Sequence, residues 1–542
     1  MIGSCQSHTP EICGLNGRSL AFAAPMLLQY WHHPPSEWRS SRPWLAWHDM
    51  KNSSRLFLLL FALNLCSAQE AFDRLTFHAA PKPLAAEAKT SDWRRVLGPT
   101  DDAHSPETHL LKTWGQKEPK AVWEVQMGEA YNSPAISGDF CVIFHALEGK
   151  ETIECLDRES GKRFWSQEYP ISYQDRYGFG NGPRGSPVIA EGVVMTFGVT
   201  AELHAFDLKT GKALWQHDLR KEYNVPQDFF GAGGTPLILD GRVIVNVGGK
   251  KAMIEDNEGM RDRKTKLAEA GVSVAAFDLQ SGKVVWTVED SWGASYASPI
   301  PAKLQGQTKV LIYTGGESDP ATGGLMCIDP ASGKLHSKFP WRSEDYIQAI
   351  GSSPVVIPEK NRAFITTAYP KGRPLGGVMV EYDAKFQAKE VWQSQKLAVH
   401  WMNPVYHEGH LYAIDGETEP KSRLVCVNAE TGAEVWEQHI EWEDAEFSTL
   451  TGRTKPTRLS ILRASLLKAD GAFLCLGETG SLHWLDLSPA GAKVLAQAQP
   501  FYALNTWSLP ALSHGLLYVR QQSQDLLRKS GPRVLCLDLR GE

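Results

Sequence analysis

Eleven residues of this chain have the side-chain types that bind a flat or anionic molecule. They are Tyr131, Tyr177, Asn181, Arg184, Phe230, Tyr296, Gln348, His400, Trp401, Arg458 and Trp507. Aromatic rings stack on planar ligands, while Arg, His, Asn and Gln direct hydrogen bonds, charge-assisted from Arg. Arg184 is the sharpest candidate. It follows Gly178-Phe179-Gly180-Asn181-Gly182-Pro183, a glycine-rich run that permits unusual backbone angles and close ligand approach. Its planar fork suits a carboxylate of a ligand or partner, and the competing expectation is a structural ion pair with a loop acid such as Asp175. Other chemistries lack their residues. His407 and His410 fall on an expected hairpin turn rather than one helix face, so they do not form a zinc motif. No nucleophile elbow, phosphate-binding loop or repeated-Asp calcium loop occurs, and no metal ligand is singled out.

The elements that must position these side chains are declared by a repeat. Asp157-x-x-Ser160-Gly161-Lys162-x-x-Trp165 recurs at Asp207 with Trp215 and at Asp278 with Trp286. Asn428 with Trp436 keeps the spacing, Asp383 has Trp392 one residue late, and Asp329 has Ser337 at the Trp place. Asp486 and Asp538 mark copies without a Trp. A second marker precedes each copy: Ser133-Pro134, Ser186-Pro187, Thr235-Pro236, Ser298-Pro299, Ser353-Pro354, Asn403-Pro404, Ala464-Ser465 and Leu509-Pro510. Short β-rich runs and Gly turns fill each unit of roughly 50 residues, the pattern of a β-propeller. The expected fold is all-β: eight four-stranded antiparallel blades. Trp123 has no Asp of its own and Asp538 has no Trp strand, so the N-terminal Trp123 strand should complete the last blade and close the ring.

Strand order then locates a candidate site. In blades lettered A to D outward from the axis, the D–A and B–C connections share one face. The long segments fall in that class: Trp165 to Ser186, Trp215 to Thr235, Trp436 to Ser465, and insertions at 250–271, 315–324, 369–377 and 521–533. Long loops gathered on one rim are where a rigid scaffold carries function. Residues just before each marker should point to the mouth of the central channel, which is what selects most of the eleven. The repeat Trp residues should be core.

The Asp-x-x-(Thr/Ser)-Gly-Lys-x-x-Trp unit resembles the repeat of PQQ-type quinoprotein propellers, shared with the outer-membrane assembly lipoprotein BamB, over about residues 121–542. The resemblance implies that each Trp packs between blades against a Thr/Ser-Gly turn. It allows a PQQ-dependent alcohol or sugar dehydrogenase using PQQ with Ca²⁺, or a BamB-like assembly factor. However, the vicinal Cys pair of many such dehydrogenases and the Cys-x-x-Cys-His of cytochrome fusions are absent. The leading expectation is a binding scaffold, not an enzyme, that takes a protein partner or a small anionic or planar ligand on its long-loop face.

The 542 residues carry a formal charge of -6, which leaves no basic footprint for nucleic acid. Lys51 and Arg55, the apolar run Leu56 to Leu65, and Cys66-Ser67-Ala68 read as a secretory signal at 50–68. Residues 1–49 read as a mis-called extension, 69–120 as a lead-in and 121–542 as the propeller. The expected product is an exported periplasmic or extracellular monomer with no integral membrane segment. Cys155, Cys327, Cys426 and Cys536 hold one equivalent position in four blades, too far apart to pair. With Cys141 and Cys475 they should be free thiols.

Overall fold

Each repeat folds as a four-stranded antiparallel sheet because its apolar runs are short and punctuated by turn residues. The first comprises Ala135–Ser137, Phe140–Leu147, Lys150–Asp157 and Arg163–Pro170. Eight such blades form among the described residues, with a small hairpin, Glu441–Asp444 and Thr457–Ser460, between blades 6 and 7. The computed structural model describes residues 72–114, 119–251, 270–316, 322–344, 348–370, 374–416, 422–452 and 454–541. The extension at 1–49, the signal at 50–68 and much of the insertions at 250–271 and 315–324 lie outside these residues. Among the described residues no helix is long and apolar enough to cross a membrane.

Middle strands such as Val193–Phe197 are buried along their whole length, since a neighbouring blade covers each face. Outer strands alternate, as in Val284–Asp290. Six of the eight innermost hairpins turn at pairs with two positive φ values, such as Asp240 (48°) with Gly241 (69°). These are type I′ geometries that match strand twist.

The motif turn has a direct physical reading. The Asp157 carboxylate accepts the Ser160 N–H at 2.7 Å and its hydroxyl at 2.6 Å. Asp207 with Thr210 and Asp278 with Ser281 repeat both bonds. Gly161 then takes φ of 70°, and a Cβ there would come within 2.9 Å of the Trp123 ring. Glycine is required twice, for the backbone angle and for the closeness of the indole.

Each indole donates to the turn of the next blade. Trp123 reaches the Arg158 carbonyl (3.0 Å), Trp165 that of Leu208 (2.8 Å), Trp215 that of Leu279 (2.9 Å) and Trp286 that of Pro330 (3.0 Å). Trp392 and Trp436 do likewise to Ala429 and Ser488. Two junctions lack the Trp and are solved differently. Between blades 4 and 5, small Ser337 donates to the Phe386 carbonyl at 2.6 Å, and large Phe386 stands on the turn, so the sizes are exchanged. At blade 8, the Leu539 carbonyl accepts the backbone N–H of Leu111 at 2.7 Å.

The ring closes as the repeat requires. Lys120–Gln126 pairs antiparallel with Arg533–Asp538, placing Trp123 opposite Cys536. It is not the edge, because Leu75–Phe77 adds a fifth strand outside it. Arg74 holds that strand through the Gln126 carbonyl (2.7 Å) and the buried Glu154 (2.6 Å).

The lead-in proves to be more than a spacer. His104–Ser105 pairs in parallel with the inner strand of blade 7. The Trp93 and Arg94 carbonyls accept N–H groups from the inner strands of blades 1 and 2. Glu107 accepts the His514 and Gly515 N–H groups at 2.6 and 2.8 Å, on the tight-turn face. The segment therefore lies across the channel on that face, with Trp93 fully buried.

All six described cysteines are buried and unpaired. Burial pushes the thiols of Cys155, Cys327 and Cys475 up to about 12. Titration of the native protein should count none of these six thiols, and denaturation without reductant should expose all of them. Trp123→Ala should cost about 3–5 kcal/mol in denaturant unfolding, the range for a large buried aromatic. Phe164→Ala, at a half-exposed position on the outer strand of blade 1, should cost under about 1 kcal/mol.

Candidate functional site

The eight segments that lead into the inner strands converge on the axis at the long-loop face. A belt of hydrogen bonds joins them at the marker position. The Ser133 N–H donates to the Ser186 hydroxyl (3.0 Å), Ser186 to Thr235 (3.0 Å), Thr235 to Ser298 (3.1 Å) and Ser298 to Ser353 (2.9 Å). The Ser353 N–H continues to Asn403 Oδ1, and the Ser133 hydroxyl donates to the Leu509 carbonyl. The marker thus has a mechanical function: the hydroxyls of Ser186, Thr235, Ser298 and Ser353 each accept the backbone N–H of the preceding blade.

Two residues before each marker stand Tyr131, Arg184, Gly233, Tyr296, Gly351, Trp401, Arg463 and Trp507. The glycines make room for neighbouring rings: a Cβ on Gly233 would lie 2.5 Å from Tyr296, and one on Gly351 2.8 Å from Trp401. Phe179 and Phe230 lean in from the loops. Phe179, Phe230, Trp401 and Trp507 form a closed circuit of ring contacts, with centroids 5.7, 6.0, 6.1 and 5.7 Å apart. One side of this mouth is a four-layer stack. The Arg184 guanidinium lies 5.4 Å over Tyr131, Tyr131 stacks on Trp507 at 5.4 Å, and Arg463 covers Trp507 at 4.6 Å. Buried carboxylates pin both ends: Asp175 binds Arg184 at 2.9 Å, and Glu478 binds Arg463 and the Trp507 indole.

Beneath the rings is an axial chamber of about 170 Å³. Belt residues wall it, and Val96 and Leu97 of the lead-in also line it. Burial raises the Tyr131 hydroxyl to about 12, so it stays a neutral donor at ordinary pH.

Six of the expected residues line the chamber: Tyr131, Arg184, Phe230, Tyr296, Trp401 and Trp507. The others do not. Tyr177 is exposed and packs on Phe229 and Phe230. Asn181 holds its own loop by accepting the Asp175 N–H at 2.8 Å. Gln348 is fully buried and accepts the Ser343 N–H. His400 is buried, stacked on Trp401 at 4.0 Å and bonded to the Tyr369 hydroxyl. The expectation for Arg458 is corrected: it sits on the added hairpin, 75% exposed, paired with Glu441. Arg463 takes the place at the mouth. Counting two residues back from Ser465, as for the other blades, would have found it. Asp175 does pair with Arg184, whose donors also reach the Gly180 and Gly182 carbonyls.

A pyrroloquinoline quinone with Ca²⁺ does not fit these residues. It would bring carboxylates and a cation, yet among the described residues the only charged side chain lining the chamber, Arg184, is already bound to Asp175, and no carboxylate lines it. Among the described residues no group of His, Cys, Asp or Glu could hold a metal ion.

Comparison with known proteins agrees with the repeat and the ring. The family described as outer membrane protein assembly factor BamB matches residues 149–438. Tetrathionate hydrolase of Acidithiobacillus ferrooxidans is 26% identical over 231 residues, 40% of this chain and 39% of the hydrolase. The dehydrogenase subunit of the quinone alcohol dehydrogenase of Gluconobacter oxydans is 26% identical over 171 residues, 29% of this chain and 19% of that subunit. The chain thus spans well under half the length of these curated relatives. The quinohemoprotein alcohol dehydrogenase of Comamonas testosteroni superposes with a TM-score of 0.52 at 14% identity, covering 84% of this chain and 82% of that one. Likeness at that identity is likeness of fold. The chain belongs to the PQQ-like, BamB-type β-propeller repeat family.

Proposed function

We propose that this protein is an exported binding scaffold whose long-loop face takes a small planar ligand or the side chains of a protein partner, without catalysing a reaction. One observation carries the reading: a circuit of aromatic rings stands over an axial chamber on the face that also gathers the long loops. Mouths of this kind, apolar and aromatic with a few placed polar groups, suit ligand binding. The BamB-type family favours a partner-binding scaffold, and the signal read at 50–68 supports export. A PQQ-dependent dehydrogenase is not favoured, because among the described residues the chamber wall offers no uncommitted charge for cofactor carboxylates or calcium.

Screening planar compounds by thermal shift tests this reading. Compounds that raise the melting temperature of the full chain should lose that effect in Trp401→Ala, each protein being compared with its own ligand-free melting temperature. A screen without hits, or hits that act equally on both proteins, removes the mouth as a small-ligand site. Arg184→Ala should lose about 3–5 kcal/mol in unfolding, because it strands the buried Asp175 carboxylate. A loss below about 1 kcal/mol would show that the ion pair does not hold the loop.

A further inference from the structure

We infer that the axial chamber takes a small, uncharged, planar molecule bearing hydrogen-bond acceptors, such as a carbonyl-substituted aromatic of one or two rings. This inference rests on the proposed binding role and names the ligand class. Four features of the chamber converge on it.

The first is size. A void of roughly 150 Å³ holds a benzene, so about 170 Å³ admits one ring or a compact fused pair. The second is shape, since Phe230, Trp401 and Trp507 present ring faces and edges at the roof. The third is charge. The donors of Arg184 are committed to Asp175, Gly180 and Gly182, and those of Arg463 to Glu478. Arg520 lies behind Tyr131, fully buried, bonded to the Ala130 and Gly128 carbonyls and to Gln522. An ion entering the chamber would lose its hydration, and among the described residues that line it no charged side chain is left uncommitted.

The fourth feature selects the polar pattern. The hydroxyls of Ser186, Thr235, Ser298 and Ser353 each accept one backbone N–H in the belt. Within the described residues none of them donates to an acceptor, and all four residues line the chamber. A hydroxyl is both donor and acceptor. The belt uses the acceptor side and leaves an arc of four O–H donors on consecutive blades. The complementary ligand brings oxygen or nitrogen lone pairs rather than donors alone.

Three probes of similar outline separate these requirements: coumarin, which is neutral with carbonyl acceptors, coumarin-3-carboxylate, which adds a charge, and naphthalene, which has no acceptor. Binding to the full chain is read by quenching of tryptophan fluorescence. Coumarin should bind tightest, with each of the others weaker by about fivefold or more, the equivalent of one hydrogen bond. Thr235→Val should weaken coumarin about fivefold and leave naphthalene unchanged. Carboxylate binding equal to or tighter than coumarin overturns the argument from charge, and naphthalene matching coumarin overturns the argument from the hydroxyl arc. If no probe binds while the thermal screen yields Trp401-dependent ligands, the chamber inference fails and the binding face stands. If the screen also yields nothing, the chamber inference and the small-ligand reading of the binding face fail together.

Discussion

The structure depends on one repeated contact, an indole N–H donated to the turn carbonyl of the next blade. A blade by itself is a small sheet with two apolar faces, and it cannot bury either face without its neighbours. The Trp fills the wedge between two blades, and its single donor fixes their register. The turn glycine lets the indole approach closely enough for both effects. Ring closure is the same contact made by Trp123 on Arg158, with residues from the two ends of the chain sharing blade 8.

Where the Trp is missing, the geometry still requires a group to fill the wedge and a donor for the carbonyl. Ser337 and Phe386 meet that need by exchanging sizes across the junction. The lead-in meets it at blade 8 with a backbone N–H from Leu111, and Trp484 donates in turn to the Leu111 carbonyl at 3.1 Å. A segment held in that junction, and across the channel by backbone bonds to three inner strands, becomes part of the axial chamber as well as a closing strap.

The mouth follows a similar economy. The belt hydroxyls keep the inner strands at fixed spacing, so the residues two positions earlier reach the axis at defined heights. Their side chains lean on one another in the stack of Arg184, Tyr131, Trp507 and Arg463. Cation–π contacts and buried carboxylates hold this wall. Phe179, flanked by glycines with φ of 78° and 91°, is mounted on the most permissive backbone of the circuit.

The sequence by itself determined the blade count, the turn chemistry, the closing strand and the free thiols. Each of these depends on residue type at a fixed short spacing, and a repeat displays that spacing many times. It also put six of the eleven candidate residues at the chamber, because the marker fixes where the chain meets the axis. Only the tertiary structure decided the rest. Arg458 and Arg463 are both loop arginines before a degenerate marker, and which one reaches the mouth depends on a hairpin that the repeat does not encode. Arg184 reaches the axis and is also neutralised by Asp175, and sequence posed those outcomes as alternatives. The lead-in carries no repeat signal at all. Its place across the channel is set by backbone hydrogen bonds and by Trp93, which bind wherever inner strands leave N–H groups exposed. Such partners are far apart in the chain, and main-chain donors look the same at every residue.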